Sequence, residues 1–124
     1  MPRSLHVVAE LPQFVRDAES VGLPEDERTA IIEAIAGEPL QGDEIRGSGG
    51  VRKVRFAGRG KGKSGGYRVV TAYFGLDAPV YLVAMLSKGE RANFGAAEIA
   101  GFKKMTDAIA KYWQRRRRKN EKSS

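Results

Sequence analysis

Residues Val51–Phe74 read VRKVRFAGRGKGKSGGYRVVTAYF, and the conformation of this stretch decides the fold. Its centre, Ala57–Ser64 (AGRGKGKS), matches the loose form of a phosphate-cradling loop: a small residue, four further residues, then Gly62-Lys63-Ser64. Such a loop works by leading into a helix whose free amides and dipole face the phosphates. Here the chain runs instead into YRVVTAYF (67–74), β-branched and aromatic residues in a strand pattern, and no later strand ends in an acid placed to hold magnesium. The stretch therefore reads as a β-hairpin with VRKVRF (51–56) and YRVVTAYF as its arms. Glycines 58, 60, 62, 65 and 66 make the connection pliable, while Arg59, Lys61 and Lys63 charge it. That combination lets backbone and cations approach a phosphate closely.

Side chains alternate along a strand, so Val51, Lys53 and Arg55 share one face and Arg52, Val54 and Phe56 the other. Two cations thus stand side by side on a sheet surface. Arg68 begins the second arm, near enough to the mouth of the hairpin to reach the same patch. The charge of the whole chain is divided in the same sense. Residues 1–45 hold three basic and ten acidic groups, whereas residues 46–76 hold eight basic groups and no acid. The formal net charge is +7. An acid-free block repels itself unless an anion neutralises it, and the commonest cytoplasmic polyanion is nucleic acid. Arg46, Arg52, Arg59, Lys61 and Lys63 are accordingly read as nucleic-acid-binding. The plainer alternative is that the acidic N-terminal third covers the basic block internally.

Working outward, LHVVA (5–9) reads as a short strand, and Leu11, Phe14, Val15, Ala18 and Val21 recur at helical spacing after it, with Gly22 as the stop. Pro24, followed by Glu25, Asp26 and Glu27, opens a second helix whose buried side is Ile31, Ile32 and Ile35. VYLVAML (80–86) adds a third arm to the hairpin, and from about Asn93 a closing helix carries Phe94, Ile99, Phe102, Met105, Ile109 and either Tyr112 or Trp113 inward. The class is α+β: two N-terminal helices and a C-terminal helix on a small antiparallel sheet. Residues 1–113 form a single domain, and residues 114–124, containing RRRRK, read as a basic disordered tail.

At 124 residues the chain suits one domain with one core. It has no cysteine, which removes disulfides and thiolate metal sites and points to a reducing compartment. Its longest apolar run is too short to cross a bilayer and the N-terminus lacks a signal-peptide core, so the expected location is cytoplasmic, with no membrane partner. His6 is the only histidine, which excludes a two-histidine nuclease, and no carboxylate cluster suggests two-metal catalysis. Neither cofactor nor metal is expected. Metal-free RNA cleavage needs a base for the 2′-hydroxyl, cations for the phosphorane and an acid for the leaving oxygen. Lysine and arginine are the groups this chain has to offer.

The runs IRGSGGVRKVRFAGRGKGKSGGYRVVTAYF (45–74) and VYLVAMLSKGERANFGAAEIAGFKKM (80–105) resemble the RelE/ParE superfamily of bacterial toxins, in particular the HigB-like branch of RelE toxins. The likeness extends from about Phe14 to Lys104 and is most specific over Gly47–Arg68. It implies a RelE-like fold and an endoribonuclease that cuts messenger RNA in the ribosomal A site under the restraint of a cognate helix-turn-helix antitoxin. By the resemblance, Lys53 and Arg55 match the paired basic positions of the central strand, Arg68 the transition-state arginine and Lys88 the lysine after the last strand. RelE toxins follow that lysine with an arginine and then a tyrosine where this chain has Gly89 and Gly95, and HigB-like relatives often carry a tyrosine where it has Leu86. Arg91 is the nearest substitute for the missing arginine. The base and acid stay unassigned, with Tyr67, Tyr73 and Tyr81 as the nearby phenols. Two alternatives share the fold: a ParE-like inhibitor of DNA gyrase, and an RNA- or ribosome-binding module that has lost its catalytic groups.

Overall fold

The computed structural model describes residues 6–58, 66–87 and 93–123. In chain order these form β1 (Val8–Glu10), α1 (Pro12–Val21), α2 (Glu25–Gly37), β2 (Asp43–Glu44), β3 (Arg52–Phe56), β4 (Tyr67–Ala72), β5 (Val80–Ser87) and α3 (Ala96–Ser123). The strands make one sheet in the order β1-β5-β4-β3-β2. The expected hairpin and its third arm are the antiparallel centre, β3-β4-β5. The sheet is not antiparallel throughout, because β1, which begins three residues and ends one residue later than LHVVA, runs parallel to β5, Val8 facing Val80 and Glu10 facing Leu82.

The central strand β4 is buried along its whole length, since it is covered on both faces. Val54, Tyr67, Val69, Leu82 and Met85 point to one side, where Phe14 and Ala18 of α1 and Ile31 and Ile35 of α2 meet them. Val51, Val70, Ala72 and Ala84 point to the other side, against Phe102 of α3. Successive residues of a strand face opposite ways, so Val69 and Val70 belong to different cores. The helices are therefore split across the sheet: α1 and α2 on one side, α3 on the other.

Capping explains where the helices begin and end. Pro12 occupies the first turn of α1, where its missing N–H costs nothing, and the Gly22 amide closes the far end on the carbonyls of Ala18 and Glu19. Beyond Leu82, β1 no longer pairs with β5, and the Asp17 carboxylate takes over by accepting the Met85 amide at 3.0 Å. Three acids in the first turn of α2 sit at the positive end of its dipole. The Glu98 carboxylate accepts the Gly95 amide at 2.8 Å at the start of α3.

The tail from 114 onward departs from the expectation of disorder, because α3 continues to Ser123. Glutamine, arginine, lysine and glutamate are good helix formers, and no glycine or proline interrupts them. Tertiary contacts also hold the segment: Trp113 Nε1 donates to the Tyr81 hydroxyl at 3.0 Å, and Arg117 pairs with Asp77 at 2.7 Å. Trp113 is thus the inward residue of the Tyr112–Trp113 pair, while Tyr112 is exposed.

Candidate functional site

The β3–β4 register places Arg55 directly opposite Arg68 and Lys53 opposite Val70. Residues opposite each other in an antiparallel pair present side chains on the same face, so Lys53, Arg55 and Arg68 form one cationic patch on the α3 side of the sheet. Lys53 and Arg55 stand about 7 Å apart along the strand. Arg55 is exposed and Lys53 half-buried, whereas Arg68 is only 6% exposed and donates to the Tyr67 carbonyl at 3.4 Å. Like charges set opposite each other destabilise a sheet. An anion placed between Arg55 and Arg68 would offset that repulsion.

Two glycines hold the patch in shape. A Cβ on Gly66 (φ +64°) would lie 2.0 Å from the Phe56 carbonyl oxygen, so only glycine lets the loop return into β4 opposite Phe56. At Gly42 (φ +95°) a Cβ would come within 2.6 Å of the Lys53 carbonyl oxygen, and the absent side chain is what allows β2 to close on β3.

That closure corrects the picture of an acid-free block. The strand β2 sets Asp43 across from Lys53 and Glu44 across from Arg52. Two acids that precede the block in sequence are its neighbours in space. They do not quench it: among the described residues no ion pair within 4.0 Å engages Lys53 or Arg55. The ion pair of the acidic N-terminal third, Arg28 with Glu10 at 2.7 Å, lies within that third. Nothing in the sequence DE, two residues poor in strand propensity, marks them as a strand.

The remaining candidates fall in different places. Arg46 is exposed on the turn between β2 and β3, which leans on α3 through the Thr106 hydroxyl bonded to the Ser48 carbonyl at 3.2 Å. Arg52 faces away from the patch and donates to the Gly42 carbonyl at 3.0 Å, so the structure uses it to tie β3 to the turn. Arg59, Lys61 and Lys63 of the hairpin loop, and Lys88 and Arg91 after β5, lie outside the described residues. The phosphate-loop reading fails as the sequence suggested, since Gly66 leads directly into β4.

The phenols near the patch are packing groups. Tyr67 is 1% exposed on the opposite face of the sheet, and its hydroxyl has no hydrogen-bond partner among the described residues. Burial, and secondly the charge of Glu27, push its pKa up. Tyr81 accepts the Trp113 indole N–H, and Tyr73 stacks at a tilt on His6, whose Nε2 lies 2.6 Å from the Ala78 carbonyl oxygen. Leu86 of β5 is buried directly opposite Arg68 and puts an apolar side chain beside it. Sequence reasoning missed one cavity, a cleft of about 580 Å³ between α1 and α3 floored by Val83 and Ala84. Its walls come from helices distant in sequence, so no local signal announces it.

One family of proteins matches the chain as a whole. The sequence model described as RelE toxin of the RelE / RelB toxin-antitoxin system matches residues 10–121.

Proposed function

The chain belongs to the RelE toxin family, the toxin half of a toxin–antitoxin pair, and from that premise we propose that it is a ribosome-dependent messenger-RNA endoribonuclease. The observation that carries the reading is the cationic patch of Lys53, Arg55 and Arg68, with two arginines opposed across the β3–β4 pair and no ion pair taking up Lys53 or Arg55 among the described residues. The 2′-oxygen attacks the adjacent phosphorus, the P–O5′ bond breaks, and the products are a 2′,3′-cyclic phosphate and a 5′-hydroxyl. The proton leaves the 2′-hydroxyl for a base, and another is delivered to O5′. Negative charge peaks on the phosphorane oxygens between these events. Arg68, ordered by burial, stabilises that charge, while Arg55 and Lys53 hold the phosphate against it. Lys88 and Arg91 are proposed to complete the cationic shell, and Arg46, Arg59, Lys61 and Lys63 to guide flanking RNA. Arg52 contributes charge from the other face.

Messenger RNA in the ribosomal A site is the proposed substrate, and the cognate antitoxin is proposed to be a small helix-turn-helix protein. Covering the patch, or laying a helix beside it, would silence the toxin. A second reading has an observation behind it. Leu86 sets an apolar side chain opposite Arg68, so a binding module that blocks translation without cutting fits the same surface. Inducing the protein in cells and mapping transcript ends separates the two. Arg68→Ala should lower cleavage by about 100-fold or more. Wild-type cleavage in that variant would defeat the nuclease reading, and growth arrest with intact transcripts would favour the binding module. Filamentation with DNA damage and intact transcripts would point to a gyrase inhibitor.

A further inference from the structure

The helix α3 carries a second cationic surface that the cleavage reading leaves unused. Between Ala108 and Asn120 it has no acid and six cations, Lys111, Arg115, Arg116, Arg117, Arg118 and Lys119. Arg117 is engaged internally: its guanidinium donates to both Asp77 carboxylate oxygens, at 2.8 and 2.7 Å, and to the Phe74 carbonyl. Together with the Trp113–Tyr81 hydrogen bond, this clasp fixes the rotation of α3 about its own axis. With about 3.6 residues per turn, the side opposite Phe102 and Trp113 carries Lys104, Lys111, Arg115 and Arg118, all of them exposed, and one acid among them, Asp107, which pairs with Lys103 at 3.4 Å. They form a ridge about 21 Å long at about 1.5 Å per residue. No ion pair among the described residues engages any of the four. Lys111 and Arg115, and Arg115 and Arg118, stand at the spacings where like charges on a helix repel.

We propose that this ridge binds the phosphate backbone of double-stranded RNA, at a site separate from the β3–β4 patch. The proposal rests on the nuclease reading only in taking RNA as the polyanion the protein meets. The two surfaces lie at opposite ends of the sheet. Trp113 and Arg117 are docked on Tyr81 and on the turn between β4 and β5, whereas Arg68 faces Leu86 near the far end of β5. Phosphates rather than bases are the ligand, because no aromatic residue stands among the cations of the ridge to stack an unpaired base. Trp113 is turned inward, and Arg116 covers both rings at 5.9 Å from Tyr112 and 6.0 Å from Trp113. A lipid surface fits poorly, since Ala108 is the one apolar side chain among Lys104, Ala108, Lys111, Arg115 and Arg118, and membrane-surface helices need an apolar face to insert. A straight rod of cations suits the regular phosphate spacing of a duplex, which is recognised by shape and backbone.

The test is the salt dependence of binding to a labelled, fully paired RNA hairpin, with the full chain and the variant Lys111→Gln/Arg115→Gln/Arg118→Gln. The log–log slope should fall by 2 to 3 in the variant, at about 0.9 per phosphate neutralised on a duplex. Affinity at low salt should fall at least about tenfold. Arg115→Lys/Arg118→Lys, which keeps the charge, should keep the slope. Arg16→Gln, which removes an exposed cation of α1 outside both surfaces, should leave the slope unaltered, and the effect of Arg68→Ala is read on transcript ends, so either idea can fail without the other. An unchanged slope in the triple variant with α3 intact by circular dichroism overturns the ridge. Tighter binding to a DNA duplex of the same sequence, or to phosphatidylserine vesicles, overturns the assignment to RNA.

Discussion

Arg68 and Tyr67 are adjacent in the chain and face opposite sides of the sheet, and they show how differently two buried polar residues can be treated. The guanidinium of Arg68 is buried across from Leu86 and donates to the Tyr67 carbonyl at 3.4 Å. Lysine at 68 would keep the charge without the planar fork, so Arg68→Lys should recover only part of the cleavage lost in Arg68→Ala, as measured by mapping transcript ends. The Tyr67 hydroxyl lies buried without a hydrogen-bond partner among the described residues. Burying a hydroxyl unbonded costs about 1–3 kcal/mol, so Tyr67→Phe should stabilise the fold by about 1 kcal/mol in urea unfolding at neutral pH. Because burial raises the phenol pKa, the folded state keeps that proton after the unfolded chain has released it. Stability should therefore decline above about pH 10, and the Phe variant should lack that part of the decline. Residue identity announced the basic patch in the sequence; the fate of Tyr67 depended on which face its neighbours covered.

Strands and helices with a periodic pattern were legible, and those without one were not. The arms of the hairpin were readable because alternation and β-branching extend over five or more residues. The two residues of β2 gave no such signal, and only the register with β3 makes them a strand. The end of α3 was misread because a run of like charges resembles a solvated tail, although each residue is a good helix former. The clasp on Asp77 then holds it. The Arg117 hydrogen bonds keep the Asp77 carboxyl below the usual carboxylate range. A depressed pKa favours the folded clasp above the unfolded value near 4, and the benefit disappears as the pH falls through the folded value. Asp77→Asn should therefore speed amide exchange in residues 114–121 at neutral pH, and the wild type should approach the same behaviour in acid. Exchange unchanged by the substitution would mean that the clasp does not hold the helix. At the hairpin, Gly66→Ala should cost about 1–3 kcal/mol, read by denaturant unfolding, because the new Cβ meets the Phe56 carbonyl oxygen.

Across the whole molecule the sheet separates two cores and also two charge regimes. Arg28 of α2 pairs with Glu10 of β1 on the side of the N-terminal helices, and Lys53, Arg55 and Arg68 face the other way, toward the side that α3 covers only in part. Among the described residues no helix is long and apolar enough to cross a membrane. If the patch grips a single RNA strand, affinity should fall with salt at about 0.7 log units per phosphate neutralised, and a flat response in a filter-binding titration would count against it. By itself the amino-acid sequence determined the class of the fold, the hairpin, the placing of Lys53, Arg55 and Arg68 on one surface, and the family, because strand alternation and residue chemistry are local properties. Tertiary structure alone decided that Arg55 meets Arg68, that Asp43 stands beside Lys53 and that Leu86 lies opposite Arg68. It also decided which cations of α3 face outward. Those facts depend on register and on helix rotation, which are set by contacts between segments far apart in the chain.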